Sequence, residues 1–197
     1  MPPRYKFTKD EIITAAFELA RESGIESVTA RAVAAKLGSS SKVIFGSFEN
    51  MEELHREVIK SAEKFSWAQM SSAMQEEKYP AYKASGMAYI EFARKERRLF
   101  ELLYMRKRSL TQASEKEDRQ RIQPIVELIE KNTGLDEEKA YLLHLDMWIF
   151  VHGIAVMIAT SYLPWDEEFI SQALTDTYLG LKHRFCEEKK ENGSDQN

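Results

Sequence analysis

Apolar residues along this chain recur mostly at helical spacing, in blocks separated by single prolines, glycines or short polar runs. Ile12, Ile13, Ala16, Phe17, Leu19 and Ala20 lie three and four apart, which predicts an amphipathic helix over about 9–22. Thr8 and Glu11 in front of it form a Thr-x-x-Glu capping box, in which each side chain satisfies the other's free backbone N–H, and Gly24 closes the helix. A second helix is predicted over about 30–37, capped by Thr29 and ended by Gly38, with Val33, Ala34 and Leu37 inward. Asn50 and Glu53 form a second capping box and open a long helix to about 77. Beyond Pro80 the periodicity gives helices near 81–95 and 97–106, then the polar stretch RKRSLTQASEKEDRQ, then a helix near 115–131 that Pro124 is expected to bend. Asp136 opens a long apolar helix to about 162, and Pro164 and Asp166 restart the chain into a last helix ending near Cys186. The expectation is an all-α chain of about nine helices, with residues 189–197 read as a disordered polar tail.

The segment KLGSSSKVIFGSFENMEEL, Lys36 to Leu54, does not fit the pattern of long helices. Its apolar core at about 41–47 is too short for an ordinary helix and is hemmed in by turn residues. A helix, a tight turn at Gly38 and a second short helix make a helix-turn-helix, whose second helix enters the DNA major groove and sets its N-terminal residues against base edges. The hydroxyls of Ser39, Ser40 and Ser41 suit helix capping and contact with phosphate or base. Lys42 is the charged group placed for a guanine edge or a phosphate, and Arg31 reaches toward the same target from the preceding helix. Either Val43 or Ile44 offers an apolar contact to a thymine methyl while the other packs inward, Gly46 leaves room for the duplex, and Phe48 anchors the element to the core. The same local pattern also fits a plain connector in a helical bundle.

The order of these features is more specific than any one of them. EIITAAFELARESGIESVTARAVAAKLGSSSKVIFGSFENMEEL resembles, without a gap, the N-terminal domain of TetR-family transcriptional regulators. AYIEFARKERRLFELLYM resembles that family's fifth and sixth helices, and WIFVHG, with Trp148, His152 and Gly153, looks like the Trp-x-x-x-His-Gly motif of one subgroup. The resemblance implies a DNA-binding domain over 1–50 and a ligand-binding and dimerisation domain over 51–188. It implies DNA contacts at Thr29, Arg31, Ser41, Lys42, Phe45 and Ser47, with Arg4, Lys6 and Lys9 as a basic arm. Phe45, Ser47 and Met51 stand where the family usually has Tyr, His and Lys, residues that clamp phosphates. Phe45 keeps a ring without a hydroxyl, Ser47 keeps a short donor, and Met51 removes a cation.

Composition changes this picture little. The chain has 197 residues, 43% of them apolar, which is enough for one or two domains with a sizeable core. Net charge is −4, but residues 1–50 carry seven Lys/Arg against six Asp/Glu, a net of +1, which leaves −5 for the remainder. No uncharged apolar run reaches the length of roughly 18 residues that would suggest a membrane span. The start MPPRYKFTKDE lacks the apolar centre of a signal peptide, and Cys186 is a lone cysteine, so the expected setting is reduced and cytoplasmic.

His144, Trp148 and His152 fall at i, i+4 and i+8 on the eighth helix and share a face. With Phe100 and Tyr104 they are candidates to line a site for a small, mostly hydrophobic effector; a core face or a dimer seam fits the same spacing. Ala155, Ile158, Leu174, Tyr178 and Leu181 are the candidate seam of a homodimer, which a palindromic double-stranded operator would require. The basic runs Arg94 to Arg98 and Arg106 to Arg108 read as solvated surface, with an anionic partner as the alternative.

Glu52 and His55 form the Glu-x-x-His of di-iron bundles, but such a site needs a second pair and two further glutamates, and none of His144, His152 or His183 has Glu three residues before it. No zinc-protease, nucleophile-elbow or phosphate-loop motif is present, so neither an enzyme, a metal site nor a cofactor is expected. The function expected is a ligand-responsive DNA-binding regulator, a repressor by family tendency. The alternative is a helical ligand-binding bundle with weak or no specific DNA binding.

Overall fold

The computed structural model describes the backbone of residues 7–107 and 112–194, and their side chains except those of 112–115 and 188–194. The described residues form nine α-helices and no strand. They are α1 (Lys9–Ser23), α2 (Ala30–Lys36), α3 (Lys42–Phe45), α4 (Met51–Gln75), α5 (Ala81–Lys95), α6 (Arg97–Tyr104), α7 (Gln112–Thr133), α8 (Glu137–Ala159) and α9 (Glu167–Ser194), with a 3₁₀ turn at Ile25–Ser27. The chain divides into two compact units, Met1–Ala68 with Lys95–Arg106, and Gln69–Arg94 with Lys107–Asn197.

The first unit is built on α1 to α4 and α6. The capping box at its start is complete: Glu11 N–H donates to Thr8 Oγ1 at 3.2 Å and Thr8 N–H to Glu11 Oε2 at 2.7 Å. Ile12, Ala16 and Ala20 of α1 meet Val28, Val33, Ile44 and Phe48 in one core. Leu54 and Val58 complete it from α4, where Leu54, Val58, Ala62 and Ser66 recur every fourth residue as one buried stripe. This unit therefore extends beyond residue 50, because the core of the short helices closes only against α4. α6 packs on α1, with Leu99 and Phe100 fully buried. Arg21 holds Glu96 through two bonds, Nε to Oε2 at 2.7 Å and Nη2 to Oε1, and its guanidinium lies 5.1 Å from the Phe65 ring centre. Tyr104 Oη and Ser66 Oγ share a hydrogen bond of 3.0 Å, which satisfies a buried serine.

The cap of α4 differs from a capping box in one bond. Asn50 Oδ1 accepts from Glu53 N–H at 2.9 Å, but the Glu53 carboxylate accepts from Glu49 N–H at 2.8 Å, not from Asn50. The same carboxylate also binds Lys9 Nζ at 2.7 Å.

In the second unit, α8 packs against α7 and α9. The core is supplied by Ile125, Val126 and Ile129 of α7, Leu143, Met147, Val151 and Ile154 of α8, and Ile170, Leu174 and Phe185 of α9. α5 approaches closely at Gly86, where an added Cβ would lie 3.2 Å from Leu174 Cδ2 and 3.5 Å from Val151 Cγ2. Asp136 caps α8 by accepting from Lys139 N–H at 3.0 Å. At its other end Tyr162 N–H returns to Met157 O at 2.8 Å and Ser161 N–H to Ile158 O at 3.0 Å, a Schellman arrangement with Ser161 at φ +57°.

Three sequence expectations change here. α7 starts at Gln112, inside the polar stretch, and runs on through Pro124, which sits on its exposed side. α9 continues to Ser194, because Glu and Lys are good helix formers whether or not they bury anything; only 195–197 of the expected tail lie outside the described residues. Ala155 and Leu174, read as dimer seam, have 0% and 2% of their surface exposed within a single chain, so they belong to its own core and have no surface to offer a partner.

Candidate nucleic-acid interface

α2, the turn and α3 are held by backbone bonds that leave one face outward. Gly38 takes φ +61°, a conformation that favours glycine, and Ser39 N–H then reaches Ala34 O at 2.9 Å. Ile44 is fully buried and Phe48 nearly so, while Val43 is partly buried against the same core. A helix turns about 100° per residue, so anchoring Ile44 inward turns Lys42 and Phe45 away from the core, and both are exposed, as is Ser41 at the N-terminus of α3. Ser41 makes no side-chain cap bond to α3, contrary to the capping role expected of it, and its hydroxyl stays on the open face. Thr29 Oγ1 caps α2 by accepting from Ala32 N–H at 3.1 Å, which leaves its O–H to donate elsewhere. Arg31, two residues after Thr29 in the first turn of α2, is exposed. Ser47 is half-buried, and Met51, where the resemblance leads one to expect a lysine, is partly buried against the core.

Ion pairing sorts the cations of this region. Lys9 is held by Glu53 and lies 4.7 Å from the Phe48 ring centre, and its hydrogen bond to Glu53 raises its pKa. Lys36 binds Glu18 at 3.1 Å and Glu22 at 3.2 Å, bonds that raise its pKa in turn. Arg21 is committed to Glu96. Among described residues 7–50 that leaves Arg31 and Lys42 as the cations with no carboxylate partner, and both lie at the helix-turn-helix. Arg4 and Lys6 of the expected basic arm lie outside the described residues. His55, the other half of the Glu-x-x-His spacing, is bonded through Nε2 to Val28 O at 2.8 Å and so ties α4 to the loop before α2.

Two family models match the sequence. One, described as bacterial regulatory proteins of the tetR family, covers residues 12–58, the span of α1 to the start of α4. The other, a tetracyclin repressor-like C-terminal domain, covers residues 82–178. The chain belongs to the TetR family of transcriptional regulators. Among solved structures, a TetR-like transcriptional regulator from Rhodococcus sp. RHA1 aligns over 93% of this chain and 97% of its own, with a TM-score of 0.60 and 19% identity, which shows a shared fold. A TetR variant from Acinetobacter baumannii AYE, solved in complex with minocycline, aligns over 94% of this chain and 98% of its own with a TM-score of 0.48 and 16% identity. No curated protein matches the sequence significantly.

The outward face described above lies within the span that the tetR-family model matches. The residues expected to meet an effector fall into different surroundings. Phe100 has no accessible surface and belongs to the core of the first unit, where its ring lies 5.3 Å from that of Tyr104. His144, Trp148 and His152 lie in the second unit and do share a side of α8, but not a common degree of burial. His144 is buried and its Nδ1 shares a hydrogen bond of 3.2 Å with Tyr82 Oη; Tyr82 in turn packs on Tyr178 at 5.7 Å. Desolvation lowers the His144 pKa to about 4. His152 is half-buried, bonded through Nδ1 to Tyr89 Oη at 2.9 Å, with its pKa also lowered by desolvation. Trp148 stacks on the His152 ring at 5.0 Å and 14° and remains 41% exposed. Tyr82 and Tyr89 are the partners that sequence reasoning missed. They lie two turns apart on α5, a spacing visible in the sequence but with nothing to mark it as polar pairing with another helix.

Proposed function

We propose that this TetR-family regulator is a cytoplasmic homodimer that represses transcription from a palindromic operator and leaves it when a mostly hydrophobic small molecule binds the C-terminal domain. The observation that carries the DNA-binding part is the placement of Arg31 and Lys42, which have no carboxylate partner among the described residues while Lys9, Arg21 and Lys36 each have one, near the exposed Thr29 and Ser41. Cations without carboxylate partners can meet phosphates and guanine edges without first breaking an ion pair. Ser47 and Phe45 complete the proposed contact set.

The dimer reading is supported by α8 and α9. α8 is apolar around most of its circumference, and much of it is not buried within the chain. Leu142, Trp148 and Ile149 on α8 and Leu179 on α9 are exposed, with Ile158, Tyr178 and Leu181 half-buried beside them. A second copy of the chain would cover such a face symmetrically. The duplex to test is one enriched by the wild-type chain from a random-sequence pool. The chain is expected to bind it as a dimer by light scattering, with log K falling by about 0.9 per phosphate contact for each tenfold rise in salt. A monomer mass at micromolar concentration would sink the dimer, and equal affinity for all sequences would favour a ligand-binding bundle without specific DNA recognition.

The Trp-x-x-x-His-Gly resemblance and the exposed Trp148–His152 stack support effector binding near that face. An effector must prefer the DNA-incompetent state, since equal affinity for both states shifts nothing. Once a releasing compound is found, Trp148→Ala is expected to keep operator affinity and lose at least tenfold in release, roughly the 1–3 kcal/mol of a typical coupling. If Trp148→Ala instead dissociates the dimer while the remaining dimer responds normally, the residue belongs to the seam.

A further inference from the structure

Phe45 is 55% exposed, and no other large hydrophobic side chain among described residues 7–68 is exposed. α3 cannot roll to bury it, because Ile44 at 0% and Phe48 at 2% exposure hold the opposite side against the core. The ring therefore shares the outward face with Ser41 and Lys42, four and three residues before it, both able to hydrogen-bond DNA. Phe45 itself has neither donor nor acceptor, so a phosphate gains nothing from it. The major groove offers one exposed apolar group to such a ring, the C5-methyl of thymine. Of the two residues that the sequence offered for this contact, Ile44 has no surface, and Val43 is partly buried against the core and less exposed than Phe45.

We propose that Phe45 is a specificity-determining residue that packs on a thymine methyl in each operator half-site. The inference rests on the DNA-binding reading above and narrows it to one base. The contact needs the ring face and not a hydroxyl.

The test uses the full-length chain and the duplex it enriches from a random pool, remade with deoxyuridine in place of thymine one symmetric pair at a time. For the wild type, one such pair is expected to weaken binding by roughly fourfold per half-site, the effect of one buried methyl-sized group. Phe45→Ala is expected to bind the thymine and deoxyuridine duplexes equally, with a melting temperature unchanged from wild type because the side chain is exposed. Phe45→Tyr, which keeps the ring, is expected to keep the discrimination. The proposal is overturned if no position is sensitive to deoxyuridine in the wild type. It is equally overturned if Phe45→Ala retains the same thymine preference, or loses affinity uniformly across sequences as a contact to deoxyribose would. Failure of the wild-type chain to enrich any duplex would overturn the DNA-binding reading itself, and this inference with it.

Discussion

Alanine at Lys42 is expected to lower operator affinity by about 2–6 kcal/mol in the dimer, since a base or charge-assisted contact is worth roughly 1–3 kcal/mol and both half-sites lose it. Arg31→Ala is expected to act in the same direction. The reason lies in the pairing pattern. Lys42 and Arg31 have no carboxylate partner among the described residues, so their interaction with DNA is not offset by a broken ion pair there. Lys36 is the internal control, because Glu18 and Glu22 already hold it. Lys36→Ala should change affinity little, and its exposed ion pairs contribute little to stability. Titration of the enriched duplex at several salt concentrations separates the roles. If Lys42 touches a phosphate, its loss flattens the salt slope by about one contact and weakens all sequences alike; if it reads guanine, discrimination at one base pair relaxes. A loss for Lys36→Ala as large as that for Lys42→Ala would show that ion pairing in the free chain does not select the reading residues.

Stability is expected to fall by about 3 kcal/mol between pH 6.5 and pH 4 through His144 alone, from a pKa lowered from 6.5 to about 4. Burial disfavours the imidazolium. In this interval the unfolded chain binds a proton at His144 that the folded chain does not. The contribution is therefore fully present above pH 6.5 and lost as pH falls toward 4. Carboxylates titrate nearby in pH, so the informative quantity is a difference. Denaturant unfolding of wild type and His144→Gln at pH 7 and pH 4 should show a steeper loss for wild type by about that amount. Parallel losses would mean that His144 takes up its proton in the folded state without hindrance.

Much of the architecture was legible in the sequence because helical periodicity and capping are local properties. Thr8, Thr29 and Asp136 cap their helices through bonds to residues three positions ahead, and Gly24 and Gly38 end theirs with positive φ. The short helix at Lys42–Phe45 was visible for the same reason, but its local pattern fitted a connector in a helical bundle as well as a helix-turn-helix. The family resemblance supplied the order of the elements and the named contact positions.

Tertiary structure decided what local pattern leaves open. Which of Val43, Ile44 and Phe45 faces outward depends on where Ile44 meets the core of α1, α2 and α4, and one residue of rotation would have exchanged their roles. Which cations remain for DNA depends on carboxylates as distant in sequence as Glu53 for Lys9 and Glu96 for Arg21. The eighth helix shows the limit most plainly. It is apolar nearly all round, so its sequence could not say that Ala155 faces inward, that His144 is buried against Tyr82, or that Trp148 lies open on His152. Periodicity marks a face only where polar residues stand opposite; where they do not, packing alone assigns each side chain its surroundings.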